Sequence, residues 1–271
     1  MYPFIVISDS LAIPTYLLTI SLTYCLCILW VFIRAQKHPE INPTVALDVC
    51  LSIMIGGLLG ARSFHVLYEN YEYYSQYPMD VFKLWQGGFV FYGGFIGALL
   101  ATILFLRIRR ESFWVWADFM APVLAFGYAL GRIGCFLNGC CFGRECTLPW
   151  AIEFSYTGLP TGLRHPTQLY ATLWELGVVV VLLLLEWRRN VKPLDNHSDI
   201  KADNPKTATT RTGQLFLLWL FLHSIGRLIM EHFRDDFRGE NYLELSISSW
   251  MSIFIIISVI AISYFRFFQK K

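Results

Sequence analysis

Apolar residues run along this chain in blocks about twenty residues long, separated by shorter polar stretches. Ile13–Ile33, Gly87–Leu106 and Leu245–Phe265 contain no Asp, Glu, Lys or Arg, and Pro166–Leu185 contains only Glu175. A helix needs about 20 mostly apolar residues to cross a hydrocarbon core of roughly 30 Å. Three further blocks have that length but carry charge: Asp48 to about Tyr68, Phe113 to about Cys135, and Thr212 to about Phe233. The pattern predicts an all-α membrane protein with seven transmembrane helices in one polytopic domain over residues 1–271. Residues 190–211 are polar, hold two prolines and have no hydrophobic period, which predicts a flexible linker. Residues 134–165 form the longest loop on the opposite side. Within it Trp150–Phe154 alternates as a short strand or an interfacial stretch would, and the Tyr-rich and Trp-rich run Tyr68–Gln86 suits the membrane interface.

Composition agrees: 55% of the residues are hydrophobic and 15% charged, against roughly 25% charged in soluble domains. The net charge of +2 is too small a field to suggest nucleic acid. Residues 1–10 lack the basic stretch that opens a cleaved leader, so the first block is read as a span. Lys and Arg in the connecting loops set orientation. With the N-terminus outside, the inward segments hold fourteen of these residues and the outward ones five. The chain reads as N-terminus outside, C-terminus inside.

Three arginines are left over, Arg62, Arg132 and Arg227, each near the outward end of a span. Asp48 to Arg62 and Asp118 to Arg132 share a fourteen-residue spacing, about 21 Å of helix, so the acids fall at the inner face and the arginines at the outer. An arginine at the centre of a span costs about 2.5–3.5 kcal/mol on insertion scales and usually faces a cavity or a partner. Any one of them alone reads equally well as a snorkelling or paired side chain, with Glu231 one turn from Arg227. Three at one depth point to an anion, and there the natural anion is a lipid phosphate, which the guanidinium fork fits.

Arg132 opens the stretch Gly131-Arg-Ile-Gly-Cys-Phe-Leu-Asn-Gly-Cys-Cys-Phe-Gly143. Its glycines permit close approach or positive φ, and a span that unwinds at this depth must line a cavity; helix packing through Gly131 and Gly134 is the plainer reading. Asn138 offers a donor to a phosphate or ester oxygen. A second glycine-bounded turn, Gly87 to Gly94, presents the Tyr92 hydroxyl beside Gly93 and Gly94.

These residues resemble the bacterial prolipoprotein diacylglyceryl transferases over nearly the whole chain. The resemblance rests on Gly60-Ala-Arg62, Trp85 to Gly94, Ala117-Asp-Phe-Met-Ala-Pro122, Gly131 to Gly139 with Gly143-Arg144, His165-Pro-Thr-Gln-Leu-Tyr170 and Arg227 to Arg234, in order. It implies a seven-helix enzyme of the bacterial inner membrane with a periplasmic N-terminus. Such an enzyme moves the diacylglyceryl group of phosphatidylglycerol onto the lipobox cysteine in the signal peptide of a preprolipoprotein. Arg132 and Arg227 match the family's essential pair, and Asn138, Gly143 and Tyr16 match further site positions. In five places the chain departs from the family's usual residues: Tyr92 stands for His, Cys135 for Asn, Cys140 for an acid, Ala171 for Glu and His223 for Tyr. With the usual histidine replaced, His223, one turn from Arg227, is the candidate imidazole base. The expected site is therefore Arg132, Arg227, Tyr92 and His223 for chemistry, with Arg62, Asn138, Gly143, Tyr16, Gly93, Gly94 and Glu231 for substrate.

Of seven cysteines, Cys25, Cys27 and Cys50 read as small apolar filling. Cys135, Cys140, Cys141 and Cys146 share one loop without the Cys-x2-Cys pairs of common zinc sites, so no metal or cofactor is expected. One or two disulfides, or a reduced reactive Cys135, fit an oxidising compartment. Other readings are a divergent relative with another lipid or acceptor, a non-catalytic phospholipid-binding protein, and a membrane thiol-disulfide oxidoreductase.

Overall fold

The computed structural model describes residues 3–8, 11–84, 87–154, 162–191, 212–234 and 245–268. A short antiparallel hairpin, β1 (Phe4–Ser8) and β2 (Leu11–Pro14), pairs Ile5 with Ile13 and leads into α1 (Thr15–Ala35). Then come α2 (Pro43–Phe64), α3 (Tyr71–Gln76), α4 (Phe91–Ile108) and α5 (Phe113–Asn138). Two-residue strands β3 (Ile152–Glu153) and β4 (Leu163–Arg164) pair antiparallel. They are followed by α6 (Thr167–Val191), α7 (Gln214–Phe233) and α8 (Ile247–Ser263). The short strand expected in Trp150–Phe154 is β3. Asn190 and Val191 close α6, and the rest of the expected linker, residues 192–211, lies outside the described residues.

Among the described residues six helices are long and apolar enough to cross a membrane: α1, α2 with its extension to Glu69, α5, α6, α7 and α8 with its extension to Phe267. The helix α4 is apolar but shorter. The block from Gly87 predicted a full-length span, yet Gly87 and Gly88 have φ of +79° and +80°, outside helical geometry, and push the helix start to Phe91. In α2 the start moves the other way. Asn42 caps it by accepting from Thr44 N at 2.9 Å and Pro43 takes the first turn, where a missing N–H costs nothing.

The chain divides into two compact units. One is Ile28–Phe113 and the other joins Met1–Cys27 to Trp114–Lys271. In the first, α2 and α4 meet along glycines. A Cβ on Gly60 would strike the Gly93 carbonyl, one on Gly97 the Gly56 carbonyl, and one on Gly93 the Phe64 ring. Paired Gly-x3-Gly stretches let two membrane helices touch backbone to backbone. Gly93 and Gly94 lie in the first turn of α4, inside this seam, so their geometry is that of helix packing rather than of a turn open to substrate.

In the second unit α5 supplies much of the core through Trp116, Phe119, Met120, Val123, Ala125 and Ala129. Asp118 accepts from the N–H groups of Gly213 and Phe216 at 2.8 and 2.9 Å and faces Arg189 at 3.7 Å. The start of α5, the end of α6 and the start of α7 therefore lie at one end. At the other end the loop after α5 meets the start of α6 and the end of α7.

Candidate active site

The stretch after Gly131 does not unwind. α5 continues through Gly134 to Asn138, because Gly134 takes the close approach of Thr19 while Ile133, Phe136 and Leu137 keep the helix supplied with apolar side chains. The helix stops at Gly139, at φ +78°. There Cys140 N donates to Cys135 O and Gly139 N to Phe136 O, both at 3.1 Å, the paired bonds of a left-handed glycine C-cap.

Beyond the cap the loop is stitched down. Gln168 Nε2 donates to Cys140 O at 2.6 Å and Thr167 Oγ1 to Cys141 O at 2.7 Å. Gly143 bridges to Arg234, with Arg144 N on Phe233 O at 2.8 Å and Gly143 N on His165 O at 2.9 Å. A Cβ on Gly143 would meet Phe233 O, His165 and Thr167, so this glycine joins the loop to the ends of α6 and α7. Arg164 underpins the loop from Glu145 Oε1 at 2.9 Å and from above the Phe142 ring at 5.4 Å.

Arg132 curls back one turn, donating to Tyr128 Oη at 2.6 Å with its guanidinium carbon 4.7 Å from the ring centroid. Tyr128 in turn meets His223 edge to face at 4.6 Å. His223 Nδ1 and Glu175 Oε1 share a hydrogen bond of 2.5 Å. Glu175 is 2% exposed, and its Oε2 has no hydrogen-bond partner. The polar line Arg132, Tyr128, His223, Glu175 thus crosses from α5 to α7 to α6. His223 is placed inside this line, its ring covered by Tyr128 and by Trp219 at 5.7 Å.

Arg227 pairs with Glu231 Oε2 at 3.3 Å and donates to Ser248 Oγ at 3.0 Å, while Ser248 Oγ donates to Glu231 at 3.1 Å. Glu231 is the partner that holds Arg227 in place. Tyr16, at the start of α1, is within electrostatic reach of Arg132 and of Cys135, Cys140 and Cys141. Asn138 hydrogen-bonds Cys140.

All seven cysteines are free thiols, so of the two readings left open for the loop, bridged or reduced, the structure has the reduced one. The sulfurs of Cys135, Cys140 and Cys141 lie within 4.8 Å of one another. Hydrogen bonds from Cys135 and Cys140, aided by the Arg234 and Arg132 cations, hold the Cys141 thiol well below the ordinary thiol range.

Arg62 differs. It is 4% exposed and its donors go to five carbonyls, those of Val81, Gly87, Gly88, Asp80 and Lys83, with Tyr74 ring contact at 5.3 Å. No N–H remains for a phosphate, so the anion contact expected of Arg62 gives way to fastening residues 80–83 and 87–88. Tyr92 is half-buried in the first turn of α4, in the same unit as Arg62.

Sequence reasoning passed over Tyr128, Gln168 and Thr167 and noted Glu175 only as a stray charge. Two signals were present. An acid alone in a membrane span is a functional candidate by default, and a tyrosine four residues before an arginine lies on its helix face.

Six apolar helices long enough to cross a membrane, among the described residues, with two arginines beside an ordered polar loop, mark a multi-pass membrane protein. The sequence profile described as prolipoprotein diacylglyceryl transferase matches residues 3–265, and the chain belongs to that family. Relatives named phosphatidylglycerol–prolipoprotein diacylglyceryl transferase include that of Trichormus variabilis, 35% identical over 74% of this chain and 67% of its own length. Those of Cupriavidus metallidurans and Bordetella parapertussis are 34% and 36% identical, over 78% and 76% of this chain and 71% and 72% of their own lengths. The chain is a diacylglyceryl transferase of this family.

Proposed function

We propose that this enzyme takes the diacylglyceryl group of phosphatidylglycerol and joins it to the lipobox cysteine of preprolipoprotein signal peptides in the bacterial inner membrane. The cysteine thiol gives up its proton to water, and its sulfur attacks the glycerol carbon that bears the phosphate. The C–S bond forms, the C–O bond breaks, and its electron pair leaves with glycerol phosphate. One observation carries the assignment of the phosphate site. Arg62 makes five hydrogen bonds to carbonyls, whereas Arg132 makes one, to Tyr128. The Arg132 fork keeps donors for the phosphate oxygens and for the charge that grows on the leaving group.

Arg227, held by Glu231 and Ser248, is the second cation. Tyr16 and Asn138 flank the head group beside the cysteine loop, and Gly143 keeps that loop against α6 and α7. His223, fixed by Glu175, orients Tyr128 and through it Arg132. For Tyr92 the support is its place in the resemblance alone, where the family usually has histidine, and transfer by Tyr92→Phe tests a part for its hydroxyl. The orientation is N-terminus outside and C-terminus inside with seven spans. Support comes from the Lys and Arg bias of the loops and from α4, whose 18 residues extend about 27 Å.

The test is transfer by the purified protein from phosphatidylglycerol to a lipobox peptide, read by mass spectrometry, with Arg132→Ala and Arg227→Ala beside it. An adduct of diacylglyceryl mass that both substitutions abolish is the expected result. Lipid bound in an arginine-dependent way without an adduct would overturn the reading in favour of a phospholipid-binding protein.

A further inference from the structure

The sulfurs of Cys135, Cys140 and Cys141 do little to hold the loop: Cys140 Sγ reaches Cys135 O at 3.6 Å, while the loop's stronger ties are to backbone carbonyls and at Gly143. Their grouping is nonetheless built. Cys135 sits in the last turn of α5, and the neighbouring pair is swung round by left-handed backbone at Gly139, φ +78°, and at Cys141, φ +65°. A side chain rarely occupies that region, and a position of this kind persists only where its surroundings enforce it. Gln168 and Thr167, 1% and 2% exposed, enforce it here from the carbonyl side.

Three sulfurs within 4.8 Å of one another are close to what one ion would ask of them. Zn–S bonds of about 2.3 Å at tetrahedral angles put sulfurs roughly 3.8 Å apart. Three thiolates around a divalent ion leave one net negative charge, and Arg132 and Arg234 stand near enough to Cys141 to balance it. The sequence showed no Cys-x2-Cys pair because the site is made by one helix end and one sharp turn instead of two knuckles.

From this we propose that Cys135, Cys140 and Cys141 bind a zinc ion whose fourth position is open to the acceptor cysteine. Three protein ligands and one open position are the pattern of catalytic rather than structural zinc. The place is chemically apt, since the acceptor must react as a thiolate and thiolate sulfur is a good zinc ligand. On coordination the acceptor thiol releases its proton to water. The bound sulfur then attacks the glycerol carbon, the C–O bond breaks, and its electron pair departs with glycerol phosphate toward Arg132. The product is a neutral thioether, a weaker ligand, so it leaves the ion free for another turn. This role rests on the transferase reading above; the ion site itself does not.

The experiment is metal analysis of purified full-length protein, kept reduced, with cobalt substitution as a second readout. About one zinc per chain is expected, falling to background in Cys140→Ser and Cys141→Ser and unchanged in Cys146→Ser. Cobalt-loaded protein should show thiolate-to-metal charge-transfer absorption that a lipobox peptide perturbs and its Cys→Ser version does not. Chelation should lower transfer on the order of 100-fold, with recovery on adding zinc. Full transfer by zinc-free protein, retention of zinc by both serine variants, or a disulfide among the three cysteines in active enzyme would each overturn the proposal. Stoichiometric zinc and a peptide-sensitive cobalt spectrum with no lipid adduct under any condition would uphold the site and overturn the transferase reading.

Discussion

Arg62 and Arg132 occupy corresponding places in their helices, fourteen residues after an aspartate, and do opposite things. Arg62→Ala would leave five carbonyls without their donor and should lower stability by about 3 kcal/mol, seen as an earlier thermal unfolding transition in detergent. Arg132→Ala should leave that transition nearly unmoved and cut transfer about 100-fold or more. The residue types were legible in the sequence, since an arginine in a span needs a reason. Which arginine is engaged was not, because the carbonyls that engage Arg62 belong to residues 80–88, whose path is set by tertiary structure. The setting of His223 was hidden for a similar reason. The sequence puts it one turn from Arg227, and only the fold brings Glu175 to its Nδ1. His223→Phe strands a buried carboxylate and should destabilise by about 3–5 kcal/mol. His223→Phe with Glu175→Leu should recover much of that loss, and the double-mutant cycle in thermal unfolding measures the coupling.

Among the elements, the helices were visible as apolar blocks and their ends were not. Apolar length says nothing of φ at Gly87 and Gly88, nor of the cap at Asn42, and the hairpin before α1 is too short for alternation to show. The Gly56, Gly60, Gly93 and Gly97 seam was in plain sight as spacing, but its partner could be named only once α2 and α4 were seen together. Gly97→Leu forces the two backbones apart and should cost about 1–3 kcal/mol, read as lost resistance to detergent unfolding. At the end of α5, Gly139→Ala places a side chain at positive φ and should cost about 1 kcal/mol in the same measurement. It should also disturb the spacing of the three cysteines.

For the whole molecule, the expected orientation rests on loop charge alone, and the contacts within the second unit say which segments share an end. Asp118, Arg189 and Gly213 mark one end, and Gly143, His165 and Phe233 the other. An impermeant thiol reagent applied to intact cells should label Glu145→Cys, exposed in the loop after α5, above the unsubstituted chain. It should reach Glu111→Cys, exposed between α4 and α5, only after permeabilisation. The reverse pattern would invert the topology. Seven spans rather than six keep the two termini on opposite sides, so α4 is the element on which this outcome turns.

The fastening of residues 80–83 and 87–88 by Arg62 has a consequence for tolerance of acid. A guanidinium keeps its proton throughout the range in which proteins stay folded, so the five bonds of Arg62 do not respond to acid. The Asp80 carboxylate beside them is held below its ordinary range by Lys83 and by the Tyr73 hydroxyl. Its contribution is therefore complete above the usual carboxylate range and disappears only as pH falls below it. Tyr73, with that carboxylate as acceptor, is shifted upward, so its contribution is lost only in strong alkali. Amide hydrogen exchange at these residues, corrected for intrinsic rates, should show the same protection at pH 5 and pH 8. This end of the unit is thus held by bonds that acidification over that range does not loosen.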